Sequence, residues 1–412
     1  MFTYFIFFIT LYTQVFLLIT FLEKDGVFVE EEEKEQEEKG EPYSPIVTIV
    51  IPVWNEEKTL AGTIDSVLAL KYPKSKLDVV IIDDGSTDKT FKIAKKFSHY
   101  PFIRVFHKEN GGKHTAVNFG ISIAKGELIG CLDADSYVHP DAVTEIVKVF
   151  RDKKIMAVTP AIRVHAPQNA LQRVQVIEYE LCIFFRKMLG KMNAQNIAPG
   201  SFSFFRKKVF DDLGGYKKAH NTEDMELSMR MHQHHYPIAN APKAFVETVT
   251  PRTLKGLYIQ RLRWAYGYVV NMIDYRKMIF NRKYGNVGMF TLPTGALSAL
   301  AAIFLTLLGI YELGKRVFEK TLEINTVGIH FYPIQFTAFD WFFFNTNFLA
   351  VITFFITMAT VIAVFVGRKL SNNNTKLGMN VVFFFLFYGI FSSVCLLKAA
   401  YNVVMGKRVT WR

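Results

Sequence analysis

The sequence contains little cysteine. Cys131, Cys182 and Cys395 are the three cysteines among 412 residues, and they lie far apart in the chain. This spacing excludes a disulfide framework and a cysteine-based zinc site, because both need several cysteines at short, regular intervals. The pattern is typical of small buried hydrophobic residues in a reducing compartment.

Signatures of nucleic-acid binding are also lacking. The chain has a formal net charge of +12, and the acidic segment from Glu23 to Glu41 contributes −7, so the remainder carries +19. A basic remainder suits anionic lipid head groups, phosphorylated substrates or nucleic acid. No arginine-rich tract, zinc-finger spacing or RNA-binding aromatic signature is present, and we therefore expect no nucleic-acid partner.

Long hydrophobic runs, in contrast, are present. The run from Phe2 to Leu22 lacks the basic start and small-residue cleavage site of a secretory signal, so residues 1–22 are predicted to be an uncleaved transmembrane anchor. Residues 23–45 form an acidic linker that is too charged to pack. Three further runs are long enough to span a bilayer and predict about three transmembrane helices within residues 287–412: Val287 to Leu313, Phe336 to Val366 and Met379 to Met405.

The charges flanking these runs leave the topology open. Arg368, Lys369 and Lys376 fit a cytosolic side under the positive-inside rule. If the region between the first and second runs lies in the cytoplasm and three spans follow it, however, the basic tail would end outside the cell. Either the middle segment is re-entrant or paired, or the bias of the tail is tolerated.

Two amphipathic stretches flank the central region of the chain. Apolar residues recur at helical spacing from Leu171 to Met188, which fits a core helix or a helix at the bilayer surface; its basic end favours the latter. The segment Tyr275 to Tyr284 is predicted to be interfacial, and residues 251–286 as a whole form the interfacial region.

From residue 46 to residue 250, strand-like and helix-like patterns alternate. Strands separated by helix-length segments imply right-handed crossovers and a mostly parallel sheet, with ligands held over the strand ends. The first helix is predicted from an Asn55 cap to about Leu70. The predicted strands are Ile46–Ile51, which Pro52 ends, Leu77–Ile82, Phe102–Phe106, Glu127–Leu132 and Ile155–Thr159.

Two carboxylates follow the apolar run from Glu127 to Leu132. Asp133 and Asp135 would stand at the carboxyl end of a buried strand, and two charges cannot be buried there unpaired. Oxygen ligands on one short turn suit Mg²⁺ or Mn²⁺, which add the phosphates of a bound substrate to one or two protein carboxylates. A solvated Asp-x-Asp turn is the alternative.

Similar polar residues follow the other strands. Glu56, after the first strand, could offer a carboxylate to a nucleoside, or could simply lie at a helix start. After the second strand Gly85 allows a tight turn, which leaves Asp83 or Asp84 available to accept hydrogen bonds. Lys113, at another helix start, is placed to meet a phosphate or a base; a solvated lysine is the alternative.

Two later helices carry further candidate residues. Glu223 and Asp224 open a helix, where they fit capping and the helix dipole, or one of them could act as a general base with a raised pKa. Nearby, His232, His234 and His235 are expected on a solvated face rather than at a metal.

Gln260, Arg263 and Trp264 share a helical face. The arginine could clamp a diphosphate and the indole could support a sugar ring, or both could be interfacial anchors.

Taken together, the ordered motifs resemble the processive family-two inverting glycosyltransferases, which include cellulose, chitin, hyaluronan and poly-N-acetylglucosamine synthases. The resemblance covers about Ile46 to Gly267. The matching segments are Pro52-x-Trp54-Asn55-Glu56, Asp83-Asp84-Gly85-Ser86, Gly112-Lys113 to Asn118, Asp133-Ala134-Asp135, Gly214-Gly215-Tyr216, Thr222-Glu223-Asp224 and Gln260-x-x-Arg263-Trp264.

The resemblance implies an α/β fold of the GT-A type, that is, a Rossmann-like, mostly parallel sheet, together with an α-helical transmembrane region. It implies a nucleotide-sugar site and a metal–diphosphate site, with Asp224 as the base beside Glu223. The implied nucleotide-sugar residues are Pro52, Trp54, Glu56, Asp83, Asp84, Lys113 and Asp133. Asp133 and Asp135 would hold Mg²⁺ or Mn²⁺, and Gln260, Arg263, Trp264, Gly200 and Ser201 would bind the diphosphate and the acceptor.

The function implied by this resemblance is that of a membrane-embedded glycosyltransferase extending a β-linked polysaccharide from a UDP-sugar. The enzyme would be a multi-pass protein of the cell membrane, in contact with lipids, with its catalytic domain in the cytoplasm. Transfer of one sugar to a polyprenyl-phosphate or other lipid acceptor is the enzymatic alternative. A catalytically inactive membrane scaffold is the alternative from another class, and a partner subunit is left open.

Overall fold

The computed structural model describes residues 2–24, 43–218, 222–328, 347–373 and 378–407. One eight-stranded sheet dominates the described part, in the spatial order β3-β2-β1-β4-β7-β6-β8-β5. Its strands are β1 Val47–Val53, β2 Leu77–Asp84, β3 Ile103–Lys108, β4 Leu128–Cys131, β5 Ser136–Val138, β6 Ala157–Val164, β7 Phe204–Arg206 and β8 Ile238–Thr248.

Besides three short 3-10 helices (Lys74–Lys76, Arg276–Met278 and Arg282–Tyr284), α-helices complete the list of elements. They are α1 Phe2–Lys24, α2 Leu60–Leu68, α3 Thr90–Lys95, α4 Lys113–Ser122, α5 Ala142–Val149, α6 Ala170–Lys191, α7 Lys207–Leu213, α8 Glu223–Gln233, α9 Leu254–Asp274, α10 Leu292–Val327, α11 Phe348–Ser371, α12 Asn380–Phe383 and α13 Gly389–Val404. A π-helical turn, Val287–Thr291, leads into α10, and another, Phe384–Tyr388, joins α12 to α13.

The central strands are parallel, as predicted. Strand β1 pairs in parallel with β2 and β4, β2 with β3, and β6 with β8. The short strand β7 is antiparallel to both β4 and β6, and β5 is antiparallel to β8. Because β7 is antiparallel to both of its neighbours, β4 and β6 run in the same direction. The carboxyl ends of β1, β2, β4, β6 and β8 therefore meet at one edge of the sheet.

The sheet is covered on both faces, which explains its nearly continuous hydrophobic strands. Every residue of β1 and β2 is buried. Alternate residues of β1, such as Ile49 and Ile51, pack in one cluster with Ile64 of α2 and Ile146 of α5. Val50 faces the opposite cluster, which also contains residues of α4 and α8. These two apolar clusters fix the sheet between its helical layers.

Two predicted boundaries after the first strand are wrong. Strand β1 continues through Pro52 to Val53, because β4 pairs with β1 only as far as Val50 and the strand runs on beside β2. Helix α2 begins at Leu60 rather than at an Asn55 cap. Asn55 instead adopts a φ of +55°, and its side-chain oxygen accepts a 2.9 Å hydrogen bond from the backbone N–H of Thr87.

Four described helical stretches are long and apolar enough to cross a membrane: Thr3–Leu22, Val287–Thr326, Phe348–Ser371 and Asn380–Val404. These helices overlap the four hydrophobic runs for which one amino-terminal and three carboxy-terminal spans are predicted, and their crossing of a membrane stays a prediction. The acidic residues 25–42, the segment 329–346 with Asp340 and Asn345, Lys376 and the tail from Arg408 lie outside the described residues.

Helix α6 lies between the sheet and the apolar helices. It contacts β6 and β8 on one side and α11 on the other. Phe184 and Met188 pack with Leu17 of α1 and Ala363 of α11. The apolar face predicted for the bilayer surface is therefore partly covered by protein.

Candidate functional site

The predicted polar residues gather at the edge where the parallel strands end. Asp83 is the penultimate residue of β2 and pairs in register with Val53, the last residue of β1, so Trp54 follows directly after this pair. Asp133 comes two residues after β4, the other neighbour of β1. The topology thus brings together residues that are far apart in the sequence, as predicted for an open α/β sheet.

Asp83 and Asp84 serve different contacts, because neighbouring strand residues point to opposite faces. Asp83 is fully buried, and its Oδ2 lies 2.5 Å from Nδ1 of His107 on β3. Its Oδ1 has no hydrogen-bond partner among the described residues. Sequence reasoning missed His107; it is in register with Asp83, but no short motif marks it.

Asp84 holds the loop that precedes Lys113. Its carboxylate accepts hydrogen bonds from Nζ of Lys108 at 2.6 Å and from the backbone N–H groups of Gly111 and Gly112 at 3.1 and 2.9 Å. Gly112 has a φ of +90°, a conformation that favours glycine. The second carboxylate therefore shapes the loop that presents Lys113, a role that turn chemistry alone did not reveal.

Lys113 joins two of the predicted acidic motifs. Its Nζ donates a 2.6 Å hydrogen bond to Oδ1 of Asp133 and lies 3.7 Å from Oε1 of Glu223. Burial opposes the charge of this ammonium, but the charges of Asp133 and Glu223 hold the Lys113 pKa above its usual value. Lys113 is thus fixed between the two acids rather than solvated.

Ser201 and Gly200 complete the surroundings of Asp133. Oγ of Ser201 donates a 2.7 Å hydrogen bond to Oδ2 of Asp133. Burial opposes ionisation of Asp133, but the charge of Lys113 and the hydrogen bonds from Lys113 and Ser201 lower the pKa of its carboxyl group. A Cβ atom at Gly200 would lie 3.0 Å from Nζ of Lys113, so a side chain there would displace the lysine.

Asp135 has the opposite electrostatic environment. Burial, the charge of Asp133 and the charge of Glu56 raise the pKa of Asp135 to about 7. Glu56 itself accepts a 2.9 Å hydrogen bond from Oγ1 of Thr59. The carboxyl groups of Glu56, Asp133 and Asp135 thus lie close together at this edge of the sheet. A positive charge added there would stabilise their ionised forms.

The chemistry of Asp133 and Asp135 fits a divalent cation bound with a diphosphate. Among the described residues no group of three or more His, Cys, Asp or Glu side chains could hold a metal ion. Mg²⁺ is commonly held by only one or two carboxylates together with substrate phosphates. A bound cation would lower the raised pKa of Asp135, because it would stabilise the ionised carboxylate.

Asp224 and Arg263 stand at the same cluster. Burial and the charge of Glu223 raise the pKa of Asp224 to about 6, whereas Lys113 acts in the opposite direction. Burial lowers the pKa of Arg263, while Glu223, Asp133, Asp224 and Asp135 oppose that shift. The effects of these groups on one another's pKa indicate that Lys113 and Arg263 lie near four acids: Asp133, Asp135, Glu223 and Asp224. The cluster therefore links the turn that carries Asp133 and Asp135 to helices α8 and α9.

Helix α8 is anchored to its neighbours on several sides. Nδ2 of Asn271 on α9 donates a 2.9 Å hydrogen bond to Oγ1 of Thr222, just before α8. Oγ of Ser228 accepts a 2.8 Å hydrogen bond from the backbone N–H of Ala198 and donates one of the same length to the carbonyl of Asp224. The backbone that carries Asp224 is therefore held close to α9 and to the segment that carries Ser201.

The predicted face of α9 contains a further residue, Arg261, that contacts two of its three motif residues. Trp264 is partly exposed, and the guanidinium of Arg261 lies 4.1 Å from its ring centroid. Arg261 is itself buried: it donates to Oε1 of Gln260, to Glu178 of α6 and to the hydroxyl of Tyr388. Sequence reasoning missed Arg261. Its position next to Gln260 was visible in the sequence, but its partners Glu178 and Tyr388 were not.

His232 is a correction to the predicted solvated face. It is buried, and its Nε2 lies 2.7 Å from the carbonyl of Gln195, while burial lowers its pKa. His234 and His235 are exposed, as expected. The three histidines therefore have different environments because α8 ends between them.

Comparison with known proteins shows what the chain is similar to. Residues 48–214 match the model of Glycosyl transferase family 2, and this match supports a glycosyltransferase. A mannosyltransferase, PcManGT from Pyrobaculum calidifontis, solved in complex with GDP-Man and Mn²⁺, has a TM-score of 0.54 at 18% identity. The likeness covers 88% of this chain and 100% of that one, and it supports the predicted GT-A fold.

More similar sequences are also found among curated proteins. The poly-β-1,6-N-acetyl-D-glucosamine synthase of Staphylococcus aureus is 36% identical over 224 residues, 54% of this chain and 54% of that protein. The synthase of the same name from Staphylococcus epidermidis is 28% identical over 332 residues, 80% of this chain and 76% of that protein. The match thus spans about half the length of the first relative, and the predicted resemblance to this group is confirmed.

Proposed function

We propose that this protein is a membrane-embedded inverting glycosyltransferase that transfers a hexose or N-acetylhexosamine from a UDP-sugar to a growing β-linked polysaccharide. The observation that carries the proposal is the convergence of Asp133, Asp135, Glu223 and Asp224 around Lys113 and Arg263. The names of the two synthases support N-acetylglucosamine as the sugar.

Asp224 is the proposed general base. A pKa of about 6 leaves its carboxylate mostly ionised at neutral pH, yet more basic than an ordinary aspartate. It removes a proton from an acceptor hydroxyl, whose oxygen then attacks the anomeric carbon from the face opposite the leaving diphosphate. The bond to the diphosphate oxygen breaks in the same displacement, so an α-linked donor gives a β-linked product.

Lys113 and Arg263 are proposed to stabilise the leaving diphosphate. Both cations are partly buried, and each lies among carboxylates at the edge of the sheet. Positive groups fixed before the reaction stabilise developing negative charge without reorganising. Asp133 and Asp135 would hold Mg²⁺ or Mn²⁺, which supplies further stabilisation of the same charge when bound.

The remaining predicted residues are proposed to bind the two substrates. Pro52, Trp54, Glu56 and Asp83 stand at the ends of β1 and β2, where they would hold the nucleoside. Asp84 supports the same site through the loop before Lys113. Gln260 and Trp264 on α9, with Gly200 and Ser201 on the other side of Asp133, would contact the acceptor.

The proposed location is the cell membrane, with several spans and a cytoplasmic catalytic domain. The four apolar helical stretches support membrane embedding by their length and composition. The contacts between α6 and α11 join the proposed catalytic domain, residues 46–250, to the spans directly.

Product size tests the proposal. The full chain is reconstituted in lipid nanodiscs and incubated with UDP-N-acetylglucosamine and Mg²⁺ or Mn²⁺, and the products are separated on a gel. Polysaccharide extension predicts a ladder of products that a β-specific glycosidase degrades. A single lipid-linked sugar would instead support transfer to a polyprenyl or other lipid acceptor.

A further inference from the structure

The segment between α9 and the second apolar span is strongly basic. We call residues 275–286 the interfacial loop. Arg276, Lys277, Arg282 and Lys283 are all exposed, and the sequence contains no acidic residue from Tyr275 to Tyr311. Asp274 directly precedes the loop, so four positive charges stand against one negative charge, and the surface remains complementary to negative charge.

Phe280 stands exposed in the middle of these cations. Its side chain is 74% exposed, so the ring is available to the surroundings of the loop. Its φ of +56° is uncommon for a residue with a side chain, so the loop holds the ring outward at some cost. A 2.9 Å hydrogen bond from the backbone N–H of Phe280 to the carbonyl of Gly288 fixes this arrangement.

The loop lies where a span begins. The apolar stretch Val287–Thr326 starts directly after it, and Gly288 belongs to the first turn of that stretch. A Cβ atom at Gly288 would lie 2.4 Å from the carbonyl oxygen of Asn281, so the loop and the turn are in close contact. A loop packed against the first turn of a span lies at the depth of the lipid head groups.

We propose that the interfacial loop is a binding site for the phosphate groups of anionic phospholipids. The four basic side chains contact the head groups, and the ring of Phe280 enters the boundary between head groups and acyl chains. Clustered basic residues next to a span, with an aromatic residue among them, have the chemistry that anionic membrane surfaces attract. The adjoining span favours a membrane lipid over a soluble phosphate as the ligand.

The same loop supports the helix that carries Asp224. Met278 is fully buried in a cluster with Met225 and Met229 of α8. The hydroxyl of Tyr275 donates a 2.9 Å hydrogen bond to Oε1 of Glu226, two residues beyond Asp224. Bound lipid therefore holds the loop against α8 and keeps Asp224 in position; this second step rests on the proposed function.

Lipid retention tests the binding site without any need for activity. The full chain is exchanged into a mixture of phosphatidylglycerol and phosphatidylcholine, and retained lipids are counted by native mass spectrometry. In the variant Arg276→Gln, Lys277→Gln, Arg282→Gln and Lys283→Gln, we expect the apparent affinity for phosphatidylglycerol to fall by at least about tenfold. Added inorganic phosphate should not displace the lipid, and displacement would overturn the choice of a lipid ligand.

A matched control removes four positive charges elsewhere. Lys89, Lys92, Lys95 and Lys96 are exposed on or beside α3, away from the spans. Their replacement by Gln should leave phosphatidylglycerol retention unchanged, and equal retention by the two variants would overturn the proposed site. The single variant Phe280→Ser should weaken retention as well, and it keeps the test available if the fourfold variant does not fold.

Turnover tests the coupling to α8. In nanodiscs, nucleoside diphosphate release by the wild type should rise with the fraction of phosphatidylglycerol, whereas the fourfold loop variant should not respond. A wild-type rate that is equal in both lipids would overturn the coupling. If no lipid supports turnover, the proposed glycosyltransferase activity fails instead, while the retention result still decides the binding site.

Discussion

Glu223 and Asp224 are neighbours at the start of α8, but their surroundings differ. Glu223 lies 3.7 Å from the ammonium of Lys113. Asp224 has a pKa of about 6, raised by burial and by the charge of Glu223. A general base for neutral pH needs a pKa near the working pH, so Asp224 is the better candidate.

Replacing Asp224 with Asn should remove the base while keeping the shape of the side chain. We expect kcat to fall by about 10²- to 10⁴-fold, the usual contribution of a general base, with little change in donor binding. Steady-state rates and a binding titration with UDP measure the two effects. If Glu223→Gln lowers kcat as much as Asp224→Asn, the assignment to Asp224 alone is wrong.

The pH dependence follows from the same carboxyl group. Because the base must be deprotonated, kcat should fall as the pH drops through about 6 and should level off above it. The Glu223 charge helps to raise this pKa, so Glu223→Gln should move the acidic limb to lower pH. A pH–rate profile of both proteins checks the shift, and a limb that does not move contradicts it.

The sequence was sufficient to select the candidate residues but not their pairings. Asp133, Lys113 and Ser201 were all chosen from motifs, and the structure joins them by hydrogen bonds. Arg261 and His107 were missed, because their partners Glu178 and Asp83 lie on other elements of the fold. A linear motif does not contain that information.

At the level of elements, the contact between α8 and α9 depends on a glycine. A Cβ atom at Gly267 would lie 2.1 Å from Oγ1 of Thr222, the residue before α8. Because α9 also carries Arg263, this close approach sets the spacing between the proposed base and the proposed diphosphate clamp.

Gly267→Ala should therefore disturb both stability and turnover. Crowding of this kind typically costs about 1–3 kcal/mol, and the alanine should also lower kcat by moving Asp224 relative to Arg263. Thermal unfolding and initial rates measure the two effects. Gly309→Ala is the matched control in another helix, since nothing lies within 4 Å of a Cβ atom there; equal behaviour of the two variants would contradict this account.

Most element positions were predictable, but the direction and pairing of the shortest strands were not. The buried strands β1 and β2 were visible as apolar runs, although β2 extends to Asp84. Strands β5 and β7 have three residues each, too few for a periodic pattern, and they form all of the antiparallel pairs in the sheet. The parallel part of the topology could be predicted because its longer strands show clear apolar runs. The short strands of the antiparallel pairs lack such a pattern.

At the scale of the whole molecule, negative charge converges on one edge of the sheet. The raised pKa values of Asp135 and Asp224, about 7 and 6, reflect this shared environment. The acids come from the turn after β4 and from the start of α8, and only the folded topology makes them neighbours.

Removing divalent cations should therefore stop the reaction. We expect a chelator to abolish nucleoside diphosphate release and Mn²⁺ or Mg²⁺ to restore it, because the clustered carboxylates and the diphosphate need added positive charge. Asp135→Ala should abolish metal-dependent UDP binding, measured by calorimetry with and without the chelator. UDP binding that is unchanged in this variant would remove the metal from the account.

The most direct test of the central claim is a donor screen on the purified full chain in nanodiscs. Nucleoside diphosphate release is measured for several UDP-hexoses and UDP-N-acetylhexosamines, with wild type and Asp224→Asn in parallel. The account predicts release from one UDP-sugar by the wild type and a loss of at least about 100-fold in the variant. Equal release by both proteins would show that the cluster around Asp224 is not the catalytic site.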